Sequence, residues 1–202
     1  RVERAPVALG KHEVTNEEYR RLKPTHSSGS FKGVSLGGDR QPVVMASYDE
    51  AVAFADWVNR TAQLPEGYTC RLPDGKEWLT YAQCGDGRKY PWGNDWPPKY
   101  GNYHGQEGDA DWGRIDGYND GFAVSCAVEQ SGRNDWGLYG VGGNAWEWTS
   151  EMFSADGGRV IRGADWFTAG QDYAPRGRVS FECAFRPYGS GSMSGLRLLL
   201  VR

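Results

Sequence analysis

"GLYGVGGNAWEWTSE" (residues 137–151) runs four glycines directly into a Trp-Glu-Trp alternation. The glycines mark backbone that turns tightly, where a side chain would be a steric cost. Trp146 and Trp148 lie two residues apart, the spacing that puts side chains on one face of a strand. The pair is read as a buried strand face, because two indoles give more from burial than from exposure. Two further strands are read downstream, over residues 157–162 and 196–202. In the second, Leu196, Leu198 and Leu200 share one face and Arg197 takes the other.

Upstream of the glycine-rich turn the period changes to that of helices. "VTNEEYRRL" places Thr15 as N-cap, Glu18 three residues on and Val14 positioned to pack on Tyr19, a capping box with its hydrophobic staple. "SYDEAVAFADWVNR" repeats the box with Ser47 and Glu50, and Tyr48, Val52, Ala55 and Val58 follow helical spacing with Phe54 beside them. "PDGKEWLTYAQC" offers Asp74 and Glu77 as a third instance. Beyond Cys84 the helical period is lost, and the chain becomes short-segmented and rich in Gly and Trp. Helices early and short strands late predict an α+β fold. No low-complexity linker interrupts residues 1–202, so a single domain is expected.

Composition narrows the functional classes. The 202 residues suffice for a real core, and 13% aromatics with nine Trp exclude disorder. A net charge of -3 offers no bulk attraction for nucleic acid. No apolar run approaches the roughly 18 residues of a spanning helix, and no signal peptide is read, so direct membrane insertion by this segment is not expected. The four Cys (Cys70, Cys84, Cys126, Cys183) lack CxxC spacing, which argues against zinc and leaves disulfides or buried thiols. His12, His26 and His104 are too scattered to suggest a metal triad. Trp92, Trp96, Trp112 and Trp136 stand in loops, and Asp109 and Asp111 are assigned no role.

Seven strings, taken in order, carry a resemblance: "KHEVTNEEY" (11–19), "QPVVMASYDEAVAFADWVNR" (41–60), "CRLPDGKEW" (70–78), "YPWGN" (90–94), the opening stretch, "RVIRGADW" (159–166) and "GLRLLLV" (195–201). The chain resembles the formylglycine-generating enzyme (sulfatase-modifying factor) family over nearly its whole length. That resemblance implies a variant of the C-type lectin fold, with helices flanking a small twisted antiparallel sheet and much irregular structure.

The family's enzymes hold copper on a Cys pair and oxidise a substrate Cys. Cu(I) needs two soft thiolates a few residues apart. In this chain the corresponding positions are Thr168 and Tyr173, neither of which is a soft ligand, so no copper and no oxidase activity are expected. The resemblance also implies a Cys84–Cys183 disulfide; Cys70 and Cys126 are read as core residues. It implies a Ca²⁺ site on Asn102, the Tyr103 carbonyl, Asp120 and the Phe122 carbonyl. A second site would use the Gly143 and Ala145 carbonyls and Glu147, but Gly140 stands where an Asn ligand is expected. Without a cation, Asn102 and Asp120 would make Asx-turns and Glu147 would accept backbone hydrogen bonds.

Between the two strand patterns, residues 164–194 have no period and are rich in side chains that build recognition surfaces. Candidate ligand-binding residues are Asp165, Trp166, Phe167, Thr168, Gln171, Tyr173, Arg176, Arg178, Phe181, Phe185, Arg186 and Tyr188, within a candidate C-terminal binding region of residues 159–202. In the resembled fold this surface carries active sites in the enzymes. In the variable proteins of diversity-generating retroelements it carries diversified ligand-binding residues. The expected function is therefore a non-catalytic module binding a protein or other macromolecule, in a cell-surface or extracellular setting. The alternatives are a sulfatase-modifying-factor-type oxidoreductase or a degenerate relative whose Arg residues only form salt bridges.

Overall fold

All three expected helices form, each opened by the reciprocal capping box its sequence encodes. They are α1 (Asn16–Arg20) behind Thr15, α2 (Tyr48–Thr61) behind Ser47 and α3 (Gly75–Ala82) behind Asp74. Val14 and Tyr19 lie in one buried cluster, as the staple requires. On α2 the fully buried residues are Ala51, Phe54 and Ala55, while Tyr48, Val52 and Val58 flank them half-buried. The computed structural model describes residues 7–108, 113–154, 157–169, 176–185 and 193–202; Trp112, Asp109 and Asp111 lie outside them.

Among the described residues there are nine short strands in three sheets. Strands β1 (Val7–Leu9), β9 (Leu199–Val201) and β4 (Thr69–Arg71) pair antiparallel in the order β1-β9-β4. Strands β2 (Ser30–Phe31) and β3 (Val34–Ser35) make a small ribbon. The third sheet, in the order β7-β6-β5-β8, joins β5 (Trp146–Met152), β6 (Arg159–Arg162), β7 (Cys183–Phe185) and β8 (Ser194–Gly195). Its β5–β8 pairing is parallel, so the sheet is mixed rather than wholly antiparallel as expected.

Two expectations about the end of the chain are corrected here. Of the strand read over residues 196–202 only Leu199–Val201 is strand (β9); 196–198 lie between it and β8, which precedes the stretch. Residues 183–185, read as unpatterned, form β7 against β6.

Strand β5 also departs from simple alternation. Trp148 is fully buried beside Phe54, Ile161 and Leu196, yet Glu147 and Thr149 between and after the indoles are buried too. The reason is that β5 is covered on both faces: its other side meets Trp78 of α3 and Arg197. Trp146 is only half-buried, at the edge of that core. Of the loop tryptophans, Trp92 is buried with Tyr90, stacked at 4.9 Å, whereas Trp136 is 50% exposed.

Candidate functional site

The Trp146 edge of the core opens onto a small cavity of about 220 Å³, lined by Trp146, Asp165, Phe167, Thr168, Ala169, Arg176 and Met193. The backbone that builds it leaves β6 through Gly163 and Ala164, both with positive φ (102° and 62°), and the same tight course carries Asp165 inward. Trp166 N donates to Asn144 O at 3.3 Å, tying this segment to the turn before β5. Asp165 and Thr168 then close on each other. Thr168 Oγ1 donates to Asp165 Oδ1 at 2.7 Å and accepts from Asp165 N at 3.3 Å, while Thr168 N donates to Asp165 O at 3.1 Å.

Asp165 is almost wholly buried, and burial raises its carboxyl to about 6. Hydrogen bonds from Thr168, Trp146 and the Phe167 backbone, with the charge of Arg176, oppose that shift. At neutral pH the cavity therefore contains a hydrogen-bonded carboxylate between aromatic walls. Phe167 is half-exposed and stacks on His104 at 5.1 Å, with His104 N donating to Thr168 O at 3.1 Å.

The candidate binding residues divide by burial. Arg176 and Arg178 are exposed and Phe181 is half-buried, with its ring 6.0 Å from Trp146. Trp166 does not belong to a surface: it is 1% exposed and packs among Leu36, Val44, Val124 and Ala145. Gln171, Tyr173, Arg186 and Tyr188 lie outside the described residues, and Phe185 is placed by its backbone in β7 alone. Residues that the unpatterned segment did not suggest are Trp146, Ala169 and Met193. Period-two spacing assigned Trp146 wholly to the core, and nothing in a strand pattern marks the last ring before a core ends.

The expected Cys84–Cys183 bond is corrected: all four cysteines are free thiols. Cys183 sits in β7 opposite Ile161. The neighbouring Arg162 meets Glu151 and Glu182, and Glu151 packs on Gly75 in the first turn of α3. Cys84 lies beyond the other end of α3, at a left-handed φ of 51° with Gly85 against Trp136. A helix of eight residues, about 12 Å at 1.5 Å per residue, separates the two regions. A disulfide needs Cα atoms within about 7 Å. Cys126 is buried as expected, but Cys70 is only half-buried.

No thiol lines the cavity, and the Met193 thioether is its one soft donor among the described residues, so the thiolate pair that the resemblance calls for is not present there. The residues of the first cation site are better suited to their group. Asp120 accepts from Tyr103 N at 2.8 Å and Phe122 N at 2.9 Å, the second an Asx-turn. Burial raises its carboxyl to about 6. Asn102 Nδ2 donates to Val124 O and Asn144 Oδ1, and Asn102 Oδ1 is buried without a hydrogen-bond partner. An orphaned buried oxygen on Asn102 and a half-buried carboxylate held by the next residue's N–H suit a hard cation.

At the second site, Glu147 is already committed. Its Oε2 accepts from Trp78 Nε1 at 2.6 Å, and its Oε1 from Arg197 Nη2 at 2.6 Å. At Gly140, where an Asn was expected, a Cβ would stand 2.2 Å from the Glu13 carboxylate. These positions are filled by a buried ion-pair network, not arranged around a metal.

Comparison with known proteins agrees with this architecture. The chain is 30% identical over 176 residues to a formylglycine-generating enzyme of Thermomonospora curvata, covering 77% of this chain and 54% of that protein. It is 34% identical over 162 residues to the inactive C-alpha-formylglycine-generating enzyme 2 of Bos taurus, covering 77% of this chain and 49% of the relative. The chain thus spans about half the length of the curated relatives it matches. Treponema denticola variable protein 1 superposes with a TM-score of 0.73 at 21% identity, over 97% of this chain and 84% of the other, which shows a shared formylglycine-generating-enzyme-like C-type lectin fold. With the family model for the sulfatase-modifying factor enzyme 1-like domain matching residues 1–201, the chain belongs to that family.

Proposed function

We propose that this domain is a non-catalytic binding module that holds a protein or other macromolecular ligand through the surface around the Trp146–Asp165 cavity. The observation that carries the reading is Thr168. It stands where the family's enzymes need a thiolate, and its hydroxyl is spent on Asp165 at 2.7 Å. What remains at the cavity mouth is a recognition surface: the aromatic faces of Trp146 and Phe167, with Arg176 beside them. Aromatic and Arg side chains on a fixed frame give contact area and directed donors at low entropic cost. The names of two matched proteins, an inactive formylglycine-generating enzyme and a variable protein, are consistent with the reading.

In the same reading, Asn102, Asp120 and the Tyr103 and Phe122 carbonyls would hold Ca²⁺, which supplies charge to brace a loop region lacking helix or strand. A display role fits a cell-surface or extracellular setting, and no helix among the described residues is long and apolar enough to cross a membrane.

The test is copper loading followed by oxygen consumption with a Cys-containing peptide. The expected result is no turnover above background; turnover would overturn the reading. Sequencing several genomic copies gives an independent check. Substitutions concentrated in residues 164–194 over a constant remainder are expected for a diversified binder, and uniform drift counts against one.

A further inference from the structure

A second hollow lies elsewhere in the molecule and shares no lining residue with the Trp146–Asp165 cavity. It is a groove of about 590 Å³ between residues 10–14, α1 and α2, floored by Phe54, Trp57, Val58 and Leu198. That volume lies in the range of small-molecule sites. On that floor Phe54 is buried, and its ring is 5.5 Å from that of the half-buried Trp57.

The rim of the groove is positively charged. Lys11 and Arg21 line it, both are exposed, and neither is ion-paired among the described residues. Lys11 Nζ instead lies 5.5 Å from the centre of the Tyr139 ring. The two carboxylates in the lining do not answer these cations. Glu18 Oε2 accepts from Thr15 N and Thr15 Oγ1 at 2.9 Å each in the capping box. Glu13 is turned to Asn144 and Arg197, inside the protein. His12, also in the lining, has its Nε2 buried without a hydrogen-bond partner, and burial lowers its pKa. The groove thus combines an apolar floor and two uncompensated cations.

We propose that this groove is a second binding site, for a small monocarboxylate with an alkyl or aromatic body. The body would lie on Phe54, Trp57, Val58 and Leu198, and the carboxylate would meet Lys11 and Arg21. The inference is independent of the proposed function, since it uses none of the same residues.

Calorimetric titration of the full chain with decanoate, decylammonium and decanol, below their micelle concentrations, tests it. Decanoate is expected to saturate at one per chain, with decylammonium about tenfold weaker or more. The double variant Lys11→Gln/Arg21→Gln should weaken decanoate about tenfold and leave decanol unchanged. Arg60→Gln, an exposed change on α2 outside the groove, should leave decanoate binding intact. All the changed side chains are exposed, and an unaltered near-UV spectrum checks the fold. Absence of saturable decanoate binding, equal binding of decylammonium, or a double variant no weaker than Arg60→Gln would each overturn the site.

Discussion

Arg197 lies between two carboxylates in the interior, and all three side chains are 0–1% exposed. Its guanidinium bonds Glu147 through Nε at 2.9 Å and Nη2 at 2.6 Å, Gly10 O at 2.9 Å and Tyr139 O at 2.5 Å, with Glu13 at 3.8 Å. Replacing it with Met would leave two buried carboxylates without their cation, so a loss of about 3–5 kcal/mol is expected in urea unfolding. Glu13 behaves differently. Burial raises its carboxyl to about 7 from an ordinary 4.5, against the pull of Arg197. The folded chain thus holds a proton that the unfolded chain releases, and its stabilising effect is full below about pH 4.5 and lost as pH rises through 7. Asp120 and Asp165, both raised to about 6, act in the same direction. Melting temperature is expected to fall from pH 5 to pH 8, and Glu13→Gln should flatten that slope; thermal melts across the range check it, and an unchanged slope would count against the assignment. The sequence showed the residue types but not this pairing. Arg197 in "GLRLLL" reads only as the residue on the strand face opposite the leucines, and Glu13 is 184 positions away.

Helix ends are the best-specified elements. Thr15, Ser47 and Asp74 each satisfy the N3 backbone N–H, and the Glu at N3 reaches back to the cap. Ser47→Ala should therefore cost about 1 kcal/mol, read from denaturant midpoints. These boxes were legible because both partners lie within three residues and need nothing beyond them. The irregular segment around Asn102 and Asp120 depends instead on long-range partners, such as Val124 O and Asn144 Oδ1. If Ca²⁺ completes it, EDTA should lower the melting temperature and excess Ca²⁺ restore it, while an Asn102→Leu variant should show no response. An unaffected wild-type melt would reduce the segment to its Asx-turn. Strand β5 was legible as a strand, but not the burial of both its faces, because period two describes only one side.

For the whole molecule, the two hollows lie on different walls of one frame. One is closed by β5 and the segment after β6, the other by α1 and α2. Thr168→Cys alone is expected to give no copper-dependent oxygen consumption, because the cavity would then present one thiolate, with the Met193 thioether, where a thiolate pair is required. The predicted staple between Cys84 and Cys183 failed at this scale. Ordered resemblance can match two cysteines to a pair, but only the packing of α3 against β5 and β6 sets their separation. The sequence by itself determined the helices with their caps, the turn-rich backbone and the Trp-Glu-Trp strand. Each of these depends on residue type and near-neighbour spacing. Tertiary structure alone decided that Trp166 is core, that Trp146 lines a cavity with Asp165, that Glu147 and Glu13 converge on Arg197, and that Lys11 and Arg21 share a groove. Those outcomes arise where distant segments meet, and burial then decides whether a charge is paired, protonated or left to meet a ligand.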